Sequence, residues 1–263
     1  MVKKTLLVGA LALAIFSCKK DNQEKAISEM IVEANGIKIE MIGVPSGSFM
    51  MGSPEDEKER STISNGMEEK QHQVNLNGFY IAKYEVTQEL YKAVMGSNPS
   101  LFTENPKNPV ERISWIEANM FIDKLNTITG KQFRLPTEAE WEYACRAGST
   151  TRFSWGDDIT ADNANYQASG LKQTTAVGSY APNAWGLYDM HGNVIEWLSD
   201  YYDKDYYSKS PTDNPTGPAY GTKRSCRGGS WNNSGKNLRS AYRDVNEPEV
   251  KVQNIGLRLA MSK

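Results

Sequence analysis

The sequence predicts an α+β fold with little regular secondary structure, and three observations carry that expectation. Alternating apolar runs of strand type are confined to the first third of the chain. Two capping boxes, Ser114 with Glu117 and Thr137 with Glu140, mark helix starts. From Gly148 to Asn237 the chain is crowded with Gly, Pro, Asn, Asp, Tyr and Trp, and its apolar runs are short. With 263 residues, 39% hydrophobic and 24% charged, there is material for one domain with a sizeable core. Thirty basic and 32 acidic side chains leave a formal charge of -2, so no broad basic field exists to hold nucleic acid.

The start of the chain reads as an export signal. Lys3 and Lys4 precede a 13-residue stretch, Thr5 to Ser17, that is nearly all apolar and runs into Cys18 and then Lys19-Lys20-Asp21. A membrane helix needs about 20 apolar residues, so this stretch does not span. Ile15-Phe16-Ser17-Cys18 looks like a lipobox, with Phe16 bulkier than usual, and residues 1–18 read as a lipoprotein signal peptide with lipid on Cys18. An ordinary secretory signal with a coincidental cysteine is the rival. The lipid would hold the mature protein on a bacterial membrane at the cell envelope, with the outer membrane expected, on the periplasmic or surface side. Residues 19–36, polar and charged, read as a tether. Cys145 and Cys226 then remain, either as one disulfide or as two separate buried thiols.

The domain is expected over 37–263. Ile37, Ile39 and Met41 alternate with polar residues, and Phe49-Met50-Met51 follows after Pro45-Ser46-Gly47, which suggests a hairpin. Pro54 to Lys70, with Glu55, Asp56, Glu57, Glu59, Glu68 and Glu69, reads as a solvated charged loop, and His72 as a loop residue. Val74 to Tyr84 reads as one strand. Three helices follow, capped by Thr87, Ser114 and Thr137; Leu90, Tyr91 and Val94 mark the buried face of the first, and Trp115, Ala118, Ile122 and Leu125 that of the second. Beyond Arg146 only Ala176 to Tyr180, Val194 to Leu198 and Ile255 to Ala260 are apolar enough for strands.

Several phrases, in order, resemble the formylglycine-generating (sulfatase-modifying) enzyme family. They are Gly47-Ser48-Phe49-Met50-Met51-Gly52, Tyr84-Glu85-Val86-Thr87, Arg134 to Ala144, Gly186 to Trp197, Arg227-Gly228-Gly229-Ser230-Trp231 and Gly256-Leu257-Arg258. The resemblance covers roughly residues 37 to 263 and implies the irregular formylglycine-generating-enzyme fold, a variant of the C-type lectin fold. It also implies a structural calcium ion bound by the Asp189 side chain, the Gly192 and Val194 carbonyls and the Glu196 side chain. Read from the residues alone, two carboxylates joined by a glycine-containing turn offer hard oxygen ligands, and a turn with two solvated acids is the alternative. A second family calcium site would begin at Asn165 and Tyr166 and stays open.

In the active family, Arg-Gly-Gly-Ser is followed by two cysteines that bind copper and oxidise a substrate cysteine to formylglycine. Here the register places Asn233 and Leu238 at those positions. Neither side chain holds Cu(I) as a thiolate does, so copper is not expected and no catalytic residue is assigned. Ser230, Trp231, Asn233, Arg239 and Arg243 are the expected groove residues, the two arginines either lining or bracing it. Three roles follow. The first is a binding protein or component of an envelope complex, as in a related lipoprotein of gliding motility and type IX secretion. The second is an oxidoreductase-type enzyme acting on an exported substrate, since a cysteine-free relative in pyoverdine maturation is linked to oxidation. The third is a lectin-fold ligand binder diversified by a retroelement, because the tail from Arg227 to Ala260 is rich in Asn, Ser and Tyr.

Overall fold

The structure is a computed structural model that describes residues 27–61 and 68–263; the expected signal peptide and Cys18 lie outside them. Among the described residues, ten strands and three α-helices are connected by long loops. The first sheet runs in the order β1 (Ser28–Ala34), β2 (Ile37–Val44), β5 (Phe79–Ala82), β10 (Ala260–Ser262), all antiparallel. β3 (Gly47–Met51) and β4 (His72–Leu76) form a separate two-stranded ribbon. The third sheet runs β8 (Asp244–Asn246), β7 (Arg224–Arg227), β6 (Ile195–Tyr201), β9 (Ile255–Leu257), with β6 and β9 parallel.

Five of these assignments correct the sequence reading. Part of the supposed tether is strand: β1 pairs along its whole length with β2 through a turn in which Asn35 (φ 49°) and Gly36 (φ 82°) take the left-handed conformation a tight hairpin requires. The partner of β2 is therefore β1 and not the 49–51 segment, which pairs with β4. The single strand expected from Val74 to Tyr84 is broken at Asn77-Gly78, and its two halves join different sheets; His72 opens β4 rather than standing in a loop. Residues 176–180 form turns, tied by the Val177 amide to the Lys107 carbonyl.

The helices form where the caps place them. In α1 (Gln88–Met95) the Thr87 hydroxyl accepts from the Leu90 amide, while α2 (Trp115–Thr129) and α3 (Glu138–Arg146) each have a complete capping box. The buried faces of α1 and α2, with Leu90, Val94, Phe121 and Leu125, share a core with Met41, Ala82 and Trp197. A second core packs α3 through Trp141 and Ala144 against Val74, Phe79 and Leu198. Trp141 and Trp197 are fully buried, and each contributes roughly 4–6 kcal/mol of transfer free energy before ordering costs.

Every residue of α3 is buried, including Glu138, Glu140 and Glu142. Such carboxylates persist in an interior only with partners, and these come from β7, from the C-terminal loop and from α3 itself. Arg227 and Arg243 both bond Glu138, Arg227 and Arg146 bond Glu142, and Tyr207 accepts from Arg227. This ionic network ties α3 to the C-terminal loops, as an irregular fold needs where regular ladders are short.

Candidate functional site

The expected groove residues lie on the segment from β7 to β8. Gly228 (φ 95°) and Gly229 (φ 68°) turn the chain sharply after β7. A Cβ on Gly229 would stand 2.7 Å from the Leu238 side chain, so that glycine is required by close packing as well as by conformation. Ser230 is fully buried; its hydroxyl bonds the Asn232 and Asn233 side chains and accepts from the Asn254 amide at 3.2 Å. Trp231 is half-buried, donates its indole N–H to the Gln253 carbonyl and meets Phe102 edge-on at 5.5 Å. Asn232 is exposed and Asn233 half-exposed. Ser230, Trp231 and Asn233 thus form, with Asn232 and Asn254, one patch of amides, a hydroxyl and an aromatic ring.

Arg239 and Arg243 do not line that patch, which corrects their expected place. Both are fully buried. Arg239 makes a bidentate pair with Glu69 at 2.8 Å and also bonds Glu57; Arg243 pairs with Glu138 and stacks 4.0 Å from the Tyr207 ring centre. The charged loop is likewise not wholly solvated. Glu69 is fully buried, and Glu57, Glu59 and Glu69 pin the loop to Arg239 and Arg152. Charge composition alone reads such a run as surface, because the partner arginines lie about 90 to 180 positions away in sequence.

Of the two positions that the resemblance assigns to copper thiolates, Leu238 has become core. It is fully buried in a small cluster with Phe153, Ala164 and Tyr166, and its carbonyl lies 2.6 Å from His191 Nδ1. Asn233 is held by Ser230, and its carbonyl accepts from the Gln167 amide. The two cysteines among the described residues are separate buried thiols, which closes the disulfide alternative.

Cys145 lies 3.5 Å from His191 Nε2, a juxtaposition that sequence reading missed. It lacks the character of a nucleophilic dyad. Burial pushes the Cys145 thiol up to about 12 and the His191 imidazole down to about 4, so the thiol stays protonated and the imidazole neutral. The His191 ring is further committed, accepting from the Ser154 amide at Nε2 and packing against Trp155 and Phe153.

The 189–196 turn is built as a ligand loop would be, with Asp189 (φ 57°), Gly192 (φ 109°) and Asn193 (φ 62°) in left-handed conformations. A Cβ on Gly192 would stand 2.4 Å from the Asn165 carbonyl oxygen. Glu196 is bound by Arg258 through both oxygens and by the Trp141 indole N–H. Asp189 accepts from the Gly178 amide, and Glu85, absent from the expected set, accepts from Asn193 and the Val194 amide. Three buried carboxylates thus feel one guanidinium, which bonds Glu196 alone among them. Burial, reinforced by Asp189 and Glu196, raises Glu85 well above the usual carboxylate range, and burial lifts Asp189 to about 6. Among the described residues no three or more His, Cys, Asp or Glu side chains converge as a metal-binding group. Glu196 is already held by Arg258 and Trp141, and Asp189 by the Gly178 amide, so a cation here would rest on the Gly192 and Val194 carbonyls as much as on Asp189 and Glu196.

The profile of the sulfatase-modifying factor enzyme 1-like domain matches residues 29–263. The formylglycine-generating enzyme of Streptomyces coelicolor is 38% identical over 175 residues, 60% of this chain and 54% of that enzyme. A Chlamydia pneumoniae protein named serine/threonine-protein kinase pkn1 is 32% identical over 252 residues, 85% of this chain but 38% of that protein. The chain therefore spans about half or less of the length of these curated relatives. Among solved structures, Treponema denticola variable protein 1 superposes with a TM-score of 0.80 at 29% identity, covering 89% of this chain and 99% of that one. PvdO from Pseudomonas aeruginosa superposes with a TM-score of 0.79 at 29% identity, covering 90% and 100%. Ordered motifs, an irregular α+β fold and a profile match over nearly all the described residues agree: the chain belongs to the family of the sulfatase-modifying factor enzyme 1-like domain.

Proposed function

We propose that this protein is an exported lipoprotein, anchored through Cys18, whose domain binds a ligand or an envelope partner instead of generating formylglycine. The observation that carries this reading is Leu238. A branched aliphatic side chain occupies the position the resemblance assigns to a copper ligand and is packed into core, while both described cysteines are buried elsewhere. Thiolates bind Cu(I) because they are soft donors; a leucine and an amide supply none. The neutral patch of Ser230, Trp231, Asn232, Asn233 and Asn254 retains polar groups and an aromatic ring suited to recognition. The purified protein is expected to retain no stoichiometric Cu(I) and to consume no oxygen with a cysteine-containing sulfatase peptide. Turnover comparable to a formylglycine-generating enzyme would overturn the reading in favour of an oxidoreductase.

Likeness to a protein named variable protein 1 favours a second reading, a ligand binder whose C-terminal tail is diversified. It requires a near-copy of the tail's coding DNA beside a reverse transcriptase gene, and is dropped if either is missing.

The excess carboxylates around Arg258 support a structural calcium ion at Asp189, Gly192, Val194 and Glu196. Saturating calcium at 100 times its dissociation constant adds about 2.7 kcal/mol, or roughly 5–10 °C in Tm for a domain of this size. Chelation is expected to remove that increment, and Asp189→Ala to abolish the response to chelator. An unchanged Tm on chelation of the intact protein disproves the ion.

A further inference from the structure

We propose that the free edge of β1 is a docking site for an extended partner segment that carries basic, apolar and basic side chains at alternate positions. β1 is the end strand of its sheet, and among the described residues its backbone bonds go to β2 alone. The register decides which groups are left over. Ala34 and Ile37 flank the two-residue turn Asn35-Gly36 and so form a hydrogen-bonded pair, from which bonded and non-bonded pairs alternate back to Ser28. Ser28, Met30, Val32 and Ala34 therefore bond β2, while Glu29, Ile31 and Glu33 turn their N–H and C=O groups outward. The far side of β2 agrees: the carbonyl of Glu40, the residue opposite Ile31, accepts from the Lys83 amide at 2.8 Å. Three residues of one edge thus offer donors and acceptors to an added antiparallel strand.

The side chains of the same three residues select the ligand. They share one face of the sheet and are exposed, while Val32 and Ala34 on the other face are buried with Leu90 of α1 and Phe121 of α2. Ile31 is 61% exposed, more than any other aliphatic side chain among the described residues. Glu29 and Glu33 flank it. Lys83 approaches Glu29 to 3.8 Å but bonds Glu40 at 2.9 Å, and Glu33 makes no ion pair among the described residues although Lys38 stands opposite in β2. An added strand lies about 5 Å beyond β1 and about 10 Å beyond β2, so its side chains meet the two carboxylates before either lysine. Lysine or arginine opposite Glu29 and Glu33, with valine or isoleucine opposite Ile31, satisfies this edge. A second copy of the chain does not: a two-fold pairing that uses all three residues sets Glu29 against Glu33 at both ends. In strand addition, main-chain bonds give affinity and alternate side chains give selectivity. The edge shares no residue with the Ser230 patch and is independent of the function proposed there.

Acidic residues on a sheet edge also serve to repel other strands, and the test separates the two roles. Three fluorescein-labelled peptides are titrated against the purified protein by fluorescence anisotropy: one with the core Lys-Thr-Val-Thr-Lys, its Glu-Thr-Val-Thr-Glu counterpart, and the first with its Lys, Val and Lys amides N-methylated. The basic peptide is expected to bind saturably, roughly tenfold more tightly than the acidic one, and more weakly at about 0.5 M salt. The N-methylated form keeps the charges but lacks the donors, and is expected to bind roughly tenfold more weakly than its parent. Glu29→Lys combined with Glu33→Lys is expected to reverse the preference. Ile31→Pro removes an outward N–H that β2 does not use and is expected to weaken the basic peptide roughly fivefold; if it alters the fold, the N-methylated peptide carries the backbone test. Equal affinity for the basic and acidic peptides, undiminished binding of the N-methylated one, or no saturable binding would overturn the proposal. Self-association of the charge-reversed variant with no reversal of peptide preference would also overturn it and assign the glutamates to edge protection.

Discussion

Glu138→Ala is expected to destabilise the domain by about 3–5 kcal/mol, the range found when one partner of a buried ion pair is removed. Glu138 bonds Arg227 at 3.0 Å and Arg243 at 2.8 and 3.0 Å, and both arginines are fully buried. Removal of the carboxylate leaves Arg243 without its only ion-pair partner among the described residues and Arg227 with Glu142 alone. With a total stability of about 5–15 kcal/mol typical of native domains, the variant stands near unfolding at room temperature. The midpoint of urea denaturation measures the change; a shift equivalent to less than 1 kcal/mol would show the network to be dispensable.

The same residue governs acid sensitivity. Burial alone would raise the Glu138 pKa, but the Arg243 and Arg227 guanidiniums overcome burial and hold the carboxyl at about 2, below its ordinary 4.5. A folded-state pKa below the unfolded value stabilises the fold above the unfolded value, and that contribution is lost as pH falls from about 4.5 toward 2. The shift corresponds to about 3 kcal/mol. Urea midpoints at pH 7, 4 and 3 should therefore fall more steeply for the parent than for Glu138→Ala. Parallel curves would assign acid denaturation to other carboxylates.

Arg258→Met is the second large expected effect, about 3–5 kcal/mol, because Glu196 then loses the one side-chain ion-pair partner it has among the described residues, inside a site that also holds Glu85 and Asp189. Arg258 further bonds the Ala82 and Tyr188 carbonyls, so it joins β5, the 189–196 turn and the C-terminal segment. The double variant Arg258→Met with Glu196→Leu should recover part of the loss, since it removes the stranded charge along with its partner. The difference between the double variant and the sum of the singles measures the coupling directly. Additive singles would mean that the pair contributes no mutual stabilisation.

These two clusters mark the border of what could be read from residues in order. The helix starts were legible because a capping box is a local device: Ser114 and Glu117 or Thr137 and Glu140 are three positions apart, and the bonds they make are settled within one turn. Glu138, Glu142 and Glu69 were not legible as buried ionic residues, because a carboxylate's burial depends on arginines from β7 onward that only the folded chain brings near. The pairing of β2 failed for the same reason. Both 28–34 and 49–51 carry a short apolar run, and the choice between them was made by the Asn35-Gly36 turn together with the competing ribbon of β3 and β4.

The site divides similarly. Asn233 and Leu238 stand in the sequence at the positions the family resemblance assigns to copper thiolates, and that substitution bears on the chemistry whatever the coordinates. By itself the sequence determined the α+β class, the three helix starts and the family motifs, because each depends on side chains close together along the chain. Only the tertiary structure decided that Leu238 packs into a core, that Arg239 and Arg243 pair with Glu69 and Glu138 instead of lining the Ser230 patch, and that Glu196 pairs with Arg258. Burial and charge pairing are properties of neighbours in space, and in a fold held by loops those neighbours are mostly remote in sequence.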